Sequence, residues 1–295
     1  MLSCRDYEKK DLEKCLSLAK NYNQTKEQES NFRKRLELGF SDKDNKTCLF
    51  FDSDRLIAIA FIWALASKDK LFNVSVYIKK NLRNGSFAGY FIDVMKGTEG
   101  KDRANLYIGA SDEWLRGEFL RKGAIEKSKH VKMLRKIGLN ESFKTDLPKN
   151  MEITRVREKD ADGYLESYEK AAKNSDVRMD MWDEKTLKEA FRNPANYFMA
   201  VRSDDGDFIA VIEYSIVGKS LNINNVLVKP EYRGSGIATS LINYVLDSAK
   251  KATIREVGLG VNTINKPAIM LYEGLGFKTT EISNLNLEIN LKKVI

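Results

Sequence analysis

Histidine is almost absent from this 295-residue chain, which carries only His130. A Ser-His-Asp triad or a histidine-based metal site would have to use that one side chain. It lies in "EKSKHVKML", a polar-apolar alternation that predicts a strand, and reads as a surface position on it. Cysteine is scarce too. Cys4, Cys15 and Cys48 all fall in the first fifth of the chain. An odd count with no close pair argues against a disulfide framework and a zinc site, and predicts reduced, partly buried thiols. No run of about 18 or more apolar residues exists, so no transmembrane helix is expected. The N-terminal "MLSCRDYEKKDLEKC" lacks the apolar core of a signal peptide, and a cytoplasmic protein is expected.

Long blocks of one charge are also missing. Fifty Lys and Arg against 42 Asp and Glu leave a net charge of +8. Such a charge can attract nucleic acid or a phosphorylated ligand. Here the basic residues alternate with acidic ones, which describes a solvated surface and ranks a nucleic-acid partner last. Hydrophobic residues make up 42% and charged residues 31%. That is a globular composition, at a length suited to two domains.

An internal repeat supports two domains. "DRLIAIAF" (Asp54 to Phe61) matches "GDFIAVIE" (Gly206 to Glu213), 152 residues on. "VYIKKNLRNGSFAGYFIDVM" matches "VLVKPEYRGSGIATSLINYVL", with Arg83 opposite Arg233 at an offset of 150. "FLRKGA" matches "YEGLGF", with Gly123 opposite Gly276 at 153. Three matches in one order at one spacing indicate two copies of a domain. Boundaries are expected at 1–145 and 151–295, with Lys144 to Asn150 as a linker around Pro148, the first proline of the chain.

The second copy predicts a mixed sheet with helices on its faces, an α/β fold of the α+β mixed-sheet kind. "MEITRVR", "YFMAVRS", "DFIAVIEYSIVG", "LNINNVLV" and "EVGLGVN" read as strands, and "FKTTEI" and "LNLEINLKK" as two more that close the domain. "DADGYLESYEKAAKN" and "DEKTLKEAFRN" have helical spacing, the latter capped by Asp183. A helix from Ser235 to about Lys251 shows an apolar stripe of Ile237, Leu241, Ile242, Val245, Leu246 and Ala249. "KPAIMLYEGLG" is a short helix with Pro267 in its first turn and Gly276 near its end.

The chemistry concentrates in "KPEYRGSGIATS". A strand precedes it and a helix follows. A helix N-terminus offers unpaired amides and a positive dipole end, and glycines let an anion approach closely. The same glycines would also serve an ordinary strand-to-helix turn. No Lys follows Gly236, so the segment is not a P-loop. Thr239 occupies the third position of a would-be dinucleotide fingerprint, which fails as well.

These residues resemble the acetyl-CoA-binding signature of the GCN5-related N-acetyltransferases, [QR]-x-x-G-x-[GA], filled by Arg233, Gly236 and Ala238. "NKPAIMLYEGLGF" is similar to the family's second signature. Asn265 matches a CoA-contacting asparagine, Tyr272 the proton-donating tyrosine, and Gly276-Phe277 the closing pair. The resemblance covers about 151–295. It implies acetyl-CoA as co-substrate and no metal. The amides of Arg233, Gly234, Ser235, Gly236, Ile237, Ala238 and Thr239 would hold the pyrophosphate. Val226, Leu227 and Val228 would lie on a splayed strand that meets the pantetheine arm and polarises the thioester. Asn265 could equally be a helix cap and nothing more.

Some relatives, the ribosomal-protein alanine acetyltransferases among them, carry a glutamate base five residues before the asparagine. Gly260 stands there in this chain. Glu213 is the substitute candidate, because it interrupts an apolar strand. It is either a buried carboxylate with a raised pKa, able to accept a proton, or an outward-facing edge residue.

The first copy keeps Arg83 and Ala88. It has Ser86 for Gly236, Phe119 for Tyr272 and Phe61 for Glu213. It is expected to keep the fold and to be non-catalytic, a tandem arrangement similar to that of the mycothiol synthases. The expected activity is direct transfer of acetyl to an amine of a small molecule or peptide, with no membrane partner. The alternatives are an acyl-CoA-binding sensor and, ranked last, an RNA- or ribosome-associated factor.

Overall fold

In the computed structural model the described residues are 1–20, 29–30, 32–33, 35–36, 45–64, 71–78, 86–97, 102–109, 112–172 and 182–293. Two compact units are present. The first comprises Met1–Lys129 and Ser283–Ile295, the second His130–Ile282. These are not the units expected at 1–145 and 151–295. The reason lies in the strands.

The first unit holds β1 (Leu2–Asp6), β2 (Asn45–Asp52), β3 (Arg55–Ala64), β4 (Leu71–Ile78) and β5 (Arg103–Gly109), with helices α1 (Leu12–Ala19), α2 (Ser86–Lys96) and α3 (Glu113–Arg121). After α3 comes β6 (Ile125–Lys136), and then β7 (Met151–Arg155). The second unit continues with α4 (Ala161–Ala172), α5 (Glu184–Arg192), β8 (Asn196–Ser203), β9 (Phe208–Val217), β10 (Ser220–Val228), α6 (Ile237–Lys251), β11 (Glu256–Asn262) and α7 (Lys266–Gly274). The last strand is β12 (Lys278–Asn290).

Within the first unit the strand order is β1-β2-β3-β4-β5-β12, and within the second β7-β8-β9-β10-β11-β6. The orders correspond strand for strand, except that the last strand of each repeat is exchanged. Lys136 to His130 of β6 pair antiparallel with Glu256 to Asn262 of β11. Asn284 to Asn290 of β12 pair with Gly109 to Arg103 of β5. The two closing strands expected from "FKTTEI" and "LNLEINLKK" are therefore one strand, and its second part completes the other unit. The segment expected as a linker is anchored: Ser240 and Asn243 of α6 donate to the carbonyls of Asp146 (2.5 Å) and Lys144 (2.8 Å).

Both faces of the second unit's sheet are covered. Ile237, Leu241, Val245 and Leu246 of α6 pack with Ile212, Ile223, Leu259 and Val261. Tyr164 and Tyr168 of α4 and Leu187 of α5 pack with Phe198, Val211 and Leu227 on the other face. Apolar burial on this scale supplies the main stabilisation. Among the described residues, no helix is long and apolar enough to cross a membrane. All three cysteines are free, with Cys15 and Cys48 buried.

The exchange has a direct consequence. A fragment spanning 151–295 lacks β6 and leaves the β11 edge unpaired. It is expected to self-associate or aggregate in size-exclusion chromatography, whereas one beginning at residue 125 keeps that edge covered. Equal monomeric behaviour of the two fragments would contradict the exchange.

Candidate functional site

The site begins where two strands part. β10 and β11 run parallel and pair from Leu221–Val257 to Ile223–Leu259, and no further. At the same point the β9–β10 register shifts, between Ile223 and Asn225, which marks a bulge. A bulge inserts an extra residue and bends its strand. The edge of β10 beyond Ile223 is left open. Lys229 N donates to Ile209 O at 3.0 Å, so its amide faces β9. By alternation Leu227 faces β9 as well, while Val226 and Val228 turn their backbone groups to the open edge. Leu227 instead contributes a buried side chain to the α4 cluster. Of the three strand residues expected to meet the ligand, Val226 and Val228 turn their backbone groups to the open edge and Leu227 does not.

The glycine loop follows. Gly234 and Gly236 have φ of +79° and +82°, the left-handed region that favours glycine. A Cβ on either would meet no atom within 4 Å, so the loop's inner surface is open. Gly236 caps α6 without any side-chain hydrogen bond. Among the described residues, the amides from Gly234 to Thr239 make no hydrogen bond outside helix α6, and Ser240 N is the first to reach back, to Gly236 O. A row of unspent N–H groups at a helix N-terminus fits a pyrophosphate. The Arg233 guanidinium is spent on structure: it donates to Val228 O and Ala171 O, each at 3.1 Å. Ser235 Oγ donates to Tyr232 O at 2.6 Å. These bonds set the loop's shape and leave its amides outward.

Tyr272 sits on α7 and is 9% exposed, with its ring edge-on to Phe277. Burial pushes its phenol up to about 12, so it stays protonated at neutral pH. Among the described residues its hydroxyl has no hydrogen-bond partner. Asn265 caps α7 by accepting from Ala268 N at 3.2 Å.

Glu213 is buried at 3% exposure, which excludes the outward-facing edge position. Three donors meet its carboxylate: the Tyr164 hydroxyl, Trp182 Nε1 at 2.8 Å and Asn225 Nδ2 at 2.6 Å. Burial raises its pKa, and the three hydrogen bonds oppose that rise. Asn225 stands directly across from Glu213, at the bulge. The carboxylate therefore ties α4 and Trp182, just before α5, to the point where β10 leaves β11.

Residues 159–277 match the family model described as Acetyltransferase (GNAT) family. They form a GNAT domain. An uncharacterized N-acetyltransferase of Methanocaldococcus jannaschii is 31% identical over 155 residues, 46% of this chain and 65% of that protein. The ribosomal protein bS18-alanine N-acetyltransferase of Escherichia coli K12 is 29% identical over 101 residues, 34% of this chain and 67% of that protein. The chain thus spans about two thirds of the length of these relatives. A tandem GNAT protein from the clavulanic acid biosynthesis pathway superposes with a TM-score of 0.65 at 12% identity, over 99% of both chains, which shows the fold.

The first unit has the GNAT fold with different side chains at the corresponding positions. Phe119 and Phe61, both buried, replace Tyr272 and Glu213. The C-terminal turn of α3 repeats that of α7: Ala124 N reaches Phe119 O as Phe277 N reaches Tyr272 O. Yet β4–β5 pairing continues to Ser75–Tyr107, and the β3–β4 register has no shift. Ser75 corresponds to Asn225, so this wedge opens later and without the bulge. Ser86 begins α2 and Ala88 is buried, while Arg83 lies outside the described residues. Asn225, Tyr164 and Trp182 were not singled out from sequence. Only Asn225 carried a signal, as a polar break in "NINNVLV".

Glu213→Ala would orphan three buried donors. It is expected to cost about 3 kcal/mol and to lower Tm by roughly 6–12 °C. Glu213→Gln can keep the three contacts if Asn225 flips its amide. A folded-state pKa raised above the unfolded one gives stability that is present at low pH and lost as pH rises through the folded value. The wild-type advantage over Glu213→Gln should therefore shrink from pH 4 towards pH 8 in denaturant titrations; an advantage that grows would contradict this assignment.

Proposed function

We propose that the second unit is an acetyl-CoA-dependent N-acetyltransferase that moves acetyl directly to an amine. The parted β10 and β11, with unspent loop amides beside them, carry this reading. The amides of Gly234 to Thr239 hold the pyrophosphate. The open backbone groups of Val226 and the N–H of Val228 take the pantetheine arm, and an N–H there polarises the thioester carbonyl. Arg233 acts through its grip on Val228 and Ala171. Asn265 holds α7 in place. Tyr272 gives its proton to the departing thiolate, as a phenol that stays protonated. No residue of the chain needs to carry the acetyl group.

Glu213 was the candidate base. Its three donors and its burial favour a different role, holding Asn225 and with it the bulge. The first unit is non-catalytic, because it lacks the tyrosine, the loop glycine and the bulge. The acceptor is a primary amine of a small molecule or a peptide. The Escherichia coli relative acts on an alanine of a ribosomal protein, which makes a peptide N-terminus one class to test.

Tyr272→Phe decides between an enzyme and a binding protein. It is expected to lower kcat for thiol release from acetyl-CoA by about 100-fold. The affinity for acetyl-CoA should stay within a factor of about two, because the ring still fills its site. An unchanged kcat would remove Tyr272 from the mechanism.

A further inference from the structure

We infer that His130, the single histidine of the chain, takes the proton from the acceptor amine in the wedge between β10 and β11. This rests on the acetyl-transfer reading above and supplies the base that reading lacks.

The placement comes from the strand exchange. His130 belongs to the second unit, where it pairs with Asn262 across β6 and β11. Beyond Leu259, β11 has no β10 partner. Gly260 to Asn262 therefore form one wall of the open wedge, with their β6 partners behind them. Leu259 and Val261 turn towards the α6 cluster. Gly260 and Asn262 point to the opposite face, by the two-residue period of a strand. His130 shares that face, since a Cβ at Gly260 would stand 2.4 Å from its Cε1 and 3.1 Å from its Nε2. The imidazole thus occupies the space over a bare glycine that any side chain at 260 would fill.

This is also the face of Glu213 and Asn225, as Val211 and Leu227, two residues from each, pack against α4. Two polar groups consequently flank the wedge on its α4 side. Glu213 is sealed at 3% exposure with three donors, whereas His130 is only half-buried. The imidazole is thus the more accessible of the two from solvent.

The charges around it suit a base. Burial holds its pKa below the ordinary histidine value, and Lys132 on the same strand adds to the effect. A neutral ring has a nitrogen lone pair to offer at neutral pH. Lys132 is itself engaged with Glu281 of β12 at 3.1 Å, and Thr280 donates to the Lys132 carbonyl. On β11, Asn262 pairs with His130 and Gly260 lies beside the ring, and both are uncharged.

The step balances. The amine nitrogen bonds to the acetyl carbon as the carbon–sulfur bond breaks. His130 takes one N–H proton and passes it to solvent. Tyr272 gives its proton to sulfur and is reprotonated from solvent. The products are an amide and the CoA thiol.

One histidine makes the test clean, because its ring protons give a single set of NMR resonances. Acetyl-CoA is expected to shift them, and they should titrate with a pKa below about 6.5. Resonances that do not move, with binding established by calorimetry, would overturn the proposal. In parallel, thiol release is followed with spermidine and with a peptide bearing an N-terminal alanine as probes. His130→Gln should lower kcat by about 100-fold at unchanged acetyl-CoA affinity, and should abolish the acid limb of the pH–rate profile. Added imidazole should restore part of the activity of His130→Ala. A His130→Gln variant within threefold of wild type would also overturn it. Failure of wild type to bind acetyl-CoA would instead sink the underlying acetyl-transfer reading.

Discussion

The site depends on the parting of β10 from β11 after the Ile223–Leu259 pair. Two parallel strands that stayed paired would spend every backbone group on each other. Parting frees one edge of β10 in a unit whose other strands remain paired. The bulge at Asn225 turns Val226 and Val228 to that edge. A buried carboxylate with three donors then holds the bulge to α4 and to Trp182, just before α5. Such a network is costly when incomplete, so it fixes one geometry when complete. In the first unit the same place is filled by Phe61 and Ser75, and the strands stay together two residues longer. Fold and chemistry separate there: the packing survives without the carboxylate, the bulge or the tyrosine.

Reciprocal strand exchange is the second organising constraint. Each unit is closed by the last strand of the other repeat, so neither half of the sequence contains a whole domain. The first repeat therefore still contributes to the second unit, through β6 and His130. Phe119 and Ser86 stand in it where the second repeat has Tyr272 and Gly236, and the second unit still cannot be completed without its strand.

Much of this was legible in the sequence, for identifiable reasons. The loop and α6 are local: glycine conformation, helix start and apolar stripe all lie within about one helix length of each other. The spacing from Asn265 to Tyr272 is local too. Glu213 stood out as a charge in an apolar strand, but its partners did not. Tyr164, Trp182 and Asn225 arrive from three different elements, and a period-2 pattern does not name a partner. The strand exchange was hidden for the same reason. β6 and β12 both alternate, and alternation is the same whichever edge a strand covers. His130 was read as a surface position from the alternation of its strand, and alternation does not say which strand lies beside it.

Titration calorimetry of the full chain with acetyl-CoA tests the central claim most directly. One site per chain, lost in Gly236→Glu where a carboxylate would enter the cradle, is the expected result. Two sites would mean that the first unit's wedge also binds. No heat with about 1 mM ligand would leave the glycine loop as only a helix start, and would contradict the acetyltransferase reading.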